Sequence, residues 1–322
     1  MASADLVGSP GEEERKHTVV RTSELTKRYG SETVVDRLGV TVRRGEIYGF
    51  LGLNGAGKST TMKMLLDLAR PTAGGVTVFG LGLAANRARI LPRIGSLIES
   101  PSYYGHLTGE ENLEIVRILK KLPQAEIDRV LGVVRLTENR RKPVRNYSLG
   151  MKQRLGLAMA LMGSPELLIL DEPTNGLDPS GIQEIRDLIV RLPSRFGMTV
   201  LVSSHLLSEV EQMADTVGII DQGRLLYEGA LRDFRDRGWL RIAVADSASA
   251  ASVLRRAGWR VTTASEGELA LPLHPDEQIA RVVRILVGAG TQLYRVEVRR
   301  RTLEEVFLQI TGEASDEKPV PA

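Results

Sequence analysis

Eight residues, Gly52-Leu53-Asn54-Gly55-Ala56-Gly57-Lys58-Ser59, constrain this chain more than any other stretch. A glycine, four residues, then Gly-Lys-Ser is the spacing of a phosphate-binding loop, and its meaning depends on what flanks it. Residues 46–51 read as a short buried strand, and residues 60–68 as a helix with Met62, Leu65, Leu66 and Leu68 on its apolar side. Strand, loop and helix in that order set a helix N-terminus against an anion. The glycines let successive N–H groups turn inward on phosphate oxygens. Lys58 is placed to reach the β- and γ-phosphates, and the Ser59 hydroxyl to ligate Mg²⁺. The bland alternative is a glycine-rich turn with an incidental lysine.

The rest of the chain is expected to supply the layers such a loop requires. Residues 18–20 and 34–42 alternate like strands on either side of Arg28-Tyr29-Gly30-Ser31, predicting a small antiparallel layer ahead of the loop. Residues 199–204 and 217–221 read as later strands of the core, with residues 203–215 helical between them. Ile182, Ile185, Leu188, Ile189 and Leu192 recur at helical spacing after Asp178-Pro179, an N-cap followed by a proline at the first helical position. Strands alternating with helices imply a mostly parallel α/β core. Within it, residues 98–163 form a helical subdomain. Thr108 and Glu111 make a capping box for a first helix, residues 128–134 offer a second, and residues 151–162 a third that is apolar enough to be buried.

Past Gly229 the pattern changes. Leu240, Ile242 and Val244 alternate, residues 248–256 are helical, and Trp259 with Val261, then Leu269 with Leu271, mark two short strands. A helix bearing Ile279, Val282, Val283 and Leu286 follows, then a strand bearing Tyr294, Val296 and Val298. The order βαββαβ is that of a ferredoxin-like domain. Residues 302–312 close it as an amphipathic helix with Leu303, Val306, Phe307 and Ile310 on one side. The expected division is therefore a lead-in over 1–17, a nucleotide-binding domain over 18–235, a small α+β accessory domain over 236–313 and a polar tail over 314–322, the two ends disordered.

Composition narrows the possibilities. A net charge of +3, from 43 basic and 40 acidic residues, is not the clustered surplus of a nucleic-acid binder, and no nucleic-acid partner is expected. With no cysteine in the 322 residues, disulfide frameworks and thiolate metal sites are excluded. The N-terminus lacks the basic start and apolar stretch of a signal peptide. The longest apolar run, residues 155–163, is far shorter than the roughly 20 residues of a membrane span, so a membrane role has to come through a partner.

Four further groups carry chemistry only in combination. The apolar run 167–170 ends in Asp171-Glu172: a carboxylate suited to Mg²⁺ followed by one suited to activate water, or else a solvated strand cap. Ser148 and Gly150 stand at the start of the buried helix, an ordinary N-cap or an anion site. His205 follows an apolar strand, and Tyr29 precedes a turn, each of which alone suggests packing.

Taken together, in this order and spacing, these elements resemble the nucleotide-binding domain of ATP-binding cassette (ABC) transporters over residues 18–229. The resemblance implies that Tyr29 stacks on adenine, that Gly52 to Ser59, with Thr60, is the Walker A loop, and that Glu99 occupies the Q-loop position as a further Mg²⁺ ligand beside Ser59 and Asp171. It implies that Ser148 and Gly150 belong to the signature motif, that Asp178 ends the nucleotide-contacting D-loop of residues 175–178, that Glu172 is the general base and that His205 is the switch histidine. ATP and Mg²⁺ would be sandwiched between Walker A of one copy and the signature of another, so a homodimer of nucleotide-binding domains is implied. Separate membrane-spanning permease subunits would hold it at the cytoplasmic face of the membrane. Two positions depart from the common pattern: Glu99 stands where glutamine is usual, and Leu149 replaces the first of two glycines. The run Ser148 to Gly156, Ile98-Glu99 and the terminal Thr302-Leu303-Glu304-Glu305-Val306-Phe307 look like the bacitracin and lantibiotic export ATPases of bacteria. That likeness implies an exporter of an antibiotic, peptide or other amphiphile. The accessory domain, which has no carboxylate pair or metal cluster, reads as regulatory, dimer-stabilising or a structural extension. The alternative is a soluble cassette ATPase acting on ribosomes or DNA.

Overall fold

A parallel strand covered by helices on both faces has no polar side, and the unbroken apolar runs that flank the glycine loop and the two acids are such strands. The computed structural model describes residues 17–99, 102–235, 238–265, 267–272, 275–300, 302–305 and 307. They form two units, divided between Gly229 and Ala230.

In the first unit β1 (Thr18–Tyr29), β2 (Glu32–Leu38) and β3 (Thr41–Arg43) precede β4 (Ile47–Leu51), which runs through the glycine loop into α1 (Lys58–Leu65). Next come β5 (Ala73–Val78), β6 (Leu81–Gly82), α2 (Leu83–Ile90) and β7 (Ile94–Leu97). The helices α3 (Gly109–Lys120), α4 (Ala125–Val133) and α5 (Leu149–Leu161) are followed by β8 (Leu167–Asp171), α6 (Pro179–Phe196), β9 (Thr199–Ser204), α7 (Leu207–Glu211), β10 (Thr216–Asp221) and β11 (Arg224–Ala230).

Six strands form the central sheet in the order β11-β10-β4-β9-β8-β7, parallel from β10 to β7. Every residue of β4, β8 and β9 is buried. Each fully buried Leu, Ile, Val or Phe there contributes about 1.5–3 kcal/mol. The second sheet is antiparallel, in the order β2-β1-β5-β6 with β3 paired to β1. This corrects the expected layer, because β5 and β6 join it from beyond α1. Alternation marks a strand but not its partner, and here Val76 and Val78 find Thr22 and Val20 across the sheet. Tyr48, at the back of β4, is fully buried and donates to Glu228 Oε1 at 2.7 Å. Burial pushes its phenol well up, which keeps it a donor.

A second correction concerns residues 203–215, read as one helix. β9 keeps Ser203 and Ser204, and only Leu207–Glu211 turns helical as α7. The helical subdomain stands as expected in kind: α3 opens on the reciprocal Thr108–Glu111 capping box, and α5 buries Leu155, Leu157, Ala158 and Leu161.

The second unit comprises α8 (Arg232–Arg235), β12 (Gly238–Val244), α9 (Ser247–Arg256), β13 (Thr262–Ser265), β14 (Glu268–Pro272), α10 (Asp276–Gly288) and β15 (Leu293–Arg300). Its sheet order is β13-β14-β12-β15, each pair antiparallel, which is the split βαββαβ arrangement. Leu240, Ile242, Leu269 and Leu271 meet Leu254, Val282 and Leu286 in a core of their own. Trp259 and Val261, read as a strand, lie ahead of β13 and pack partly buried against that core. In the closing segment Leu303 and Phe307 are buried, while Val306, Ile310, the lead-in through residue 16 and the tail from Ala314 lie outside the described residues.

Candidate active site

The loop after β4 is shaped by glycine where no other residue fits. Gly57 caps α1 with φ 103° and ψ 4°, a left-handed conformation, and a Cβ there would stand 2.7 Å from the Val34 carbonyl oxygen. A Cβ on Gly52 would meet the Ile220 carbonyl oxygen at 2.4 Å. No side chain caps α1 and no acid stands in its first turn, so its free N–H groups are left for an anion. Lys58 is buried at 5% exposure. Its Nζ donates to the Gly52 and Leu53 carbonyls at 2.7 and 3.2 Å and lies 3.4 Å from Glu172 Oε1.

Across from the loop, the register of β8 on β9 places Asp171 beside Ser203. Ser203 Oγ donates to Asp171 Oδ1 at 2.6 Å and accepts from the Glu172 N–H at 3.0 Å. One hydroxyl thus fixes both the aspartate and the backbone of the glutamate. Glu172 itself takes φ 47°, a left-handed conformation that is uncommon without glycine. The turn carries its carboxylate off the strand to lie between three groups: Lys58, Asn175 Nδ2 at 3.4 Å and His205 Nδ1 at 3.0 Å. A carboxylate accepts, so His205 carries its proton on Nδ1. When the ring is neutral, Nε2 is left as an acceptor.

Glu99 also has a left-handed backbone, φ 61°, and its carboxylate accepts from Lys63 Nζ at 2.7 Å. That hydrogen bond holds the Glu99 carboxyl below its ordinary range. A cavity of about 440 Å³ gathers Asn54, Ser59, Glu99, Asp171, Glu172 and Asn175 with Tyr103, Leu149, Lys152 and Gln153 from the helical subdomain and its approach. Ser59, Asp171 and Glu99 offer only oxygen, the donor set of a hard cation. Among the described residues no three His, Cys, Asp or Glu side chains group to hold a metal. Such a partial shell suits Mg²⁺, which keeps waters and shares phosphate oxygens instead of entering a closed protein cage.

Tyr29, Ser148, Gly150, Asp178 and His205 do not line that cavity. Tyr29 ends β1 half-exposed, with Lys27 Nζ 4.7 Å from its ring centroid. Ser148 caps α5 by accepting from the Met151 N–H at 3.3 Å, and beyond its chain neighbours and its own helix backbone nothing stands within 4 Å of where a Cβ on Gly150 would lie. Asp178 caps α6, accepting from the Gly181 N–H at 3.2 Å and from Ser180 Oγ at 2.8 Å. Sequence reasoning missed Ser203, Tyr103, Lys152 and Gln153. Lys152 and Gln153 left a signal, as polar residues on a helix apolar enough to be buried through most of its length.

With the glycine loop after β4 and the acids after β8, two strands apart in a parallel sheet, this is the core of a P-loop nucleoside triphosphatase. Known proteins narrow the class. The family model "ABC transporter" matches residues 35–175. The bacitracin transport ATP-binding protein BcrA of Bacillus licheniformis is 42% identical over 92% of this chain and 98% of its own length. The lantibiotic transport ATP-binding protein SrtF of Streptococcus pyogenes is 43% identical over 65% of this chain and 90% of its own length. A solved structure of an ATP-binding subunit of an ABC transporter superposes with a TM-score of 0.61 at 32% identity, covering 68% of this chain and 92% of that one. The chain belongs to the ATP-binding subunits of ABC transporters, a family of ATPases, and it binds nucleotide as they do. None of these relatives is named for action on ribosomes or DNA.

Proposed function

We propose that the chain hydrolyses ATP with Glu172 as general base, to drive export of an antibiotic, peptide or other amphiphile through separate membrane-spanning subunits. The cargo class comes from the bacitracin and lantibiotic transport relatives. Among the described residues no helix is long and apolar enough to cross a membrane, so the chain would sit peripherally at the cytoplasmic face, docked on its permease. Two copies would close head to tail on ATP, with Ser148 and Gly150 of one facing the glycine loop of the other and Asp178 at the seam.

The observation that carries this reading is the position of the Glu172 carboxylate, 3.4 Å from Lys58 and 3.0 Å from His205 at the mouth of the loop. Lys58 would exchange the Gly52 and Leu53 carbonyls for phosphate oxygens. Glu172 would take the proton of the attacking water, and His205, its Nδ1 proton held by Glu172, would fix that carboxylate and offer Nε2 to the γ-phosphate side. The half-exposed ring of Tyr29 is available to stack on adenine. Ser59, Asp171 and Glu99 would hold Mg²⁺, which would supply neutralisation of charge on the phosphate oxygens. Positioning and charge stabilisation carry most of the rate in phosphoryl transfer. Glu172→Gln keeps the shape and removes the base, so it should retain ATP affinity while turnover falls on the order of 10²-fold or more. Equilibrium binding measured beside steady-state phosphate release checks this, and turnover near the wild-type rate would take the role of base from Glu172.

A further inference from the structure

One buried acid has no part in the chemistry above. Glu209, in the middle of α7, is only 5% exposed. Its Oε2 accepts from Thr174 Oγ1 at 2.5 Å, and Ser204 Oγ, which accepts from the Leu206 N–H at 2.9 Å, lies 3.4 Å from the same oxygen. Its Oε1 is buried with no hydrogen-bond partner among the described residues. A buried acceptor left unsatisfied destabilises a fold, and an apolar side chain of similar size would fill the same place without that loss. Stability alone therefore does not account for an acid here. What its other oxygen holds does.

Thr174, 4% exposed, stands two residues past Glu172. The Asn175 N–H donates to the Glu172 carbonyl at 3.1 Å and the Leu177 N–H to the Thr174 carbonyl at 3.2 Å, so residues 172–177 are folded on themselves and Thr174 moves with the glutamate. Glu209 stands four residues past His205. The Thr174–Glu209 hydrogen bond thus ties the segment of the glutamate to the segment of the histidine, through atoms shut away from solvent. The His205–Glu172 contact itself is made by side chains 32% and 20% exposed. Water competes for that outer contact and not for the inner one, where a hydrogen bond to a carboxylate is strong. We propose that Glu209 is a positioning residue: through Thr174 it holds α7 against the Glu172 turn and so keeps the His205 Nδ1 proton on the Glu172 carboxylate. Its effect on turnover rests on Glu172 being the base, whereas its effect on the His205 proton does not.

Thr174→Val keeps the size of the side chain and removes the donor. It should leave the equilibrium affinity for ATP unchanged and lower kcat by about tenfold to a hundredfold, as misplacing a reacting group does. Thr174→Ser keeps the hydroxyl and should turn over near the wild-type rate. Nitrogen NMR of the histidine rings reads the other effect. The chain has four histidines, and the His205 signals are those lost in His205→Ala. On the neutral ring the proton should lie on Nδ1 in the wild type and shift toward Nε2, the site a free imidazole prefers, in Thr174→Val. A role confined to stability would move neither kcat nor the proton. Thr174→Val with Glu209→Leu removes donor and acceptor together, so it should regain the unfolding midpoint that Thr174→Val alone lowers, while kcat stays low. Wild-type kcat in Thr174→Val, a His205 proton that does not move, or kcat regained with the midpoint in the double variant would overturn the proposal. Should Glu172→Gln itself turn over, the role of base is lost, and the His205 proton still decides for or against Glu209.

Discussion

At Glu172 the backbone accepts a left-handed conformation, φ 47°, that costs of order 1–3 kcal/mol for a residue with a Cβ, and the surrounding contacts hold it there. Ser203 is the chief of them, because its hydroxyl serves the Asp171 carboxylate and the Glu172 N–H together. Ser203→Ala leaves both groups without their partner in a buried setting. It should cost about 1–3 kcal/mol in denaturant unfolding and lower turnover by misplacing the glutamate. Glu99 allows a test by pH. Its carboxyl is held low first by the Lys63 hydrogen bond, so the pair contributes above the ordinary carboxylate range and is lost as pH falls through the depressed value. Lys63→Met should let the Glu99 carboxyl rise, moving the acid limb of ATP hydrolysis to higher pH. A pH–rate profile indistinguishable from wild type would separate Glu99 from the proposed Mg²⁺ site. Gly52 to Ser59, Asp171 and Glu172 were recognisable in the sequence as candidates, because phosphate and water chemistry demands those types at that spacing. Ser203 was not, since a serine inside an apolar strand carries no sign of the strand it will face.

Two helices in the first unit begin where their capping signals place them. Thr108 and Glu111 exchange hydrogen bonds in the capping box of α3, and Asp178 caps α6 ahead of Pro179. Thr108→Ala removes the side-chain acceptor of the Glu111 N–H and should cost about 0.5–2 kcal/mol, seen as a lower midpoint in thermal unfolding followed by circular dichroism. The misjudged elements are those whose limits tertiary contacts decide. β9 holds Ser203 and Ser204 because it pairs with both β4 and β8 along that length, leaving a short α7 where periodicity suggested a long helix. β5 and β6 complete the antiparallel layer from the far side of α1, a pairing of residues some fifty positions apart that no local pattern announces.

Among the described residues each unit has a core of its own, around Tyr48, Phe50 and Met62 in the first and around Leu240, Ile242 and Leu254 in the second. A domain with its own core resists proteolysis while the segment between cores is cut first. Limited proteolysis should therefore cleave within about ten residues after Gly229 and leave two persisting fragments, the N-terminal one still binding ATP. Loss of nucleotide binding on cleavage would make the second unit part of the site. The amino-acid order by itself determined the phosphate loop, the paired acids, the helix caps and the βαββαβ succession, since each depends on residues within one turn or one strand of each other. Only the tertiary structure decided which strands neighbour which, that Ser203 clamps Asp171, and that Lys58, Glu172 and His205 converge. Those contacts join residues separated by more than thirty positions, and the packing of a buried parallel sheet brings them together, which local propensity cannot encode.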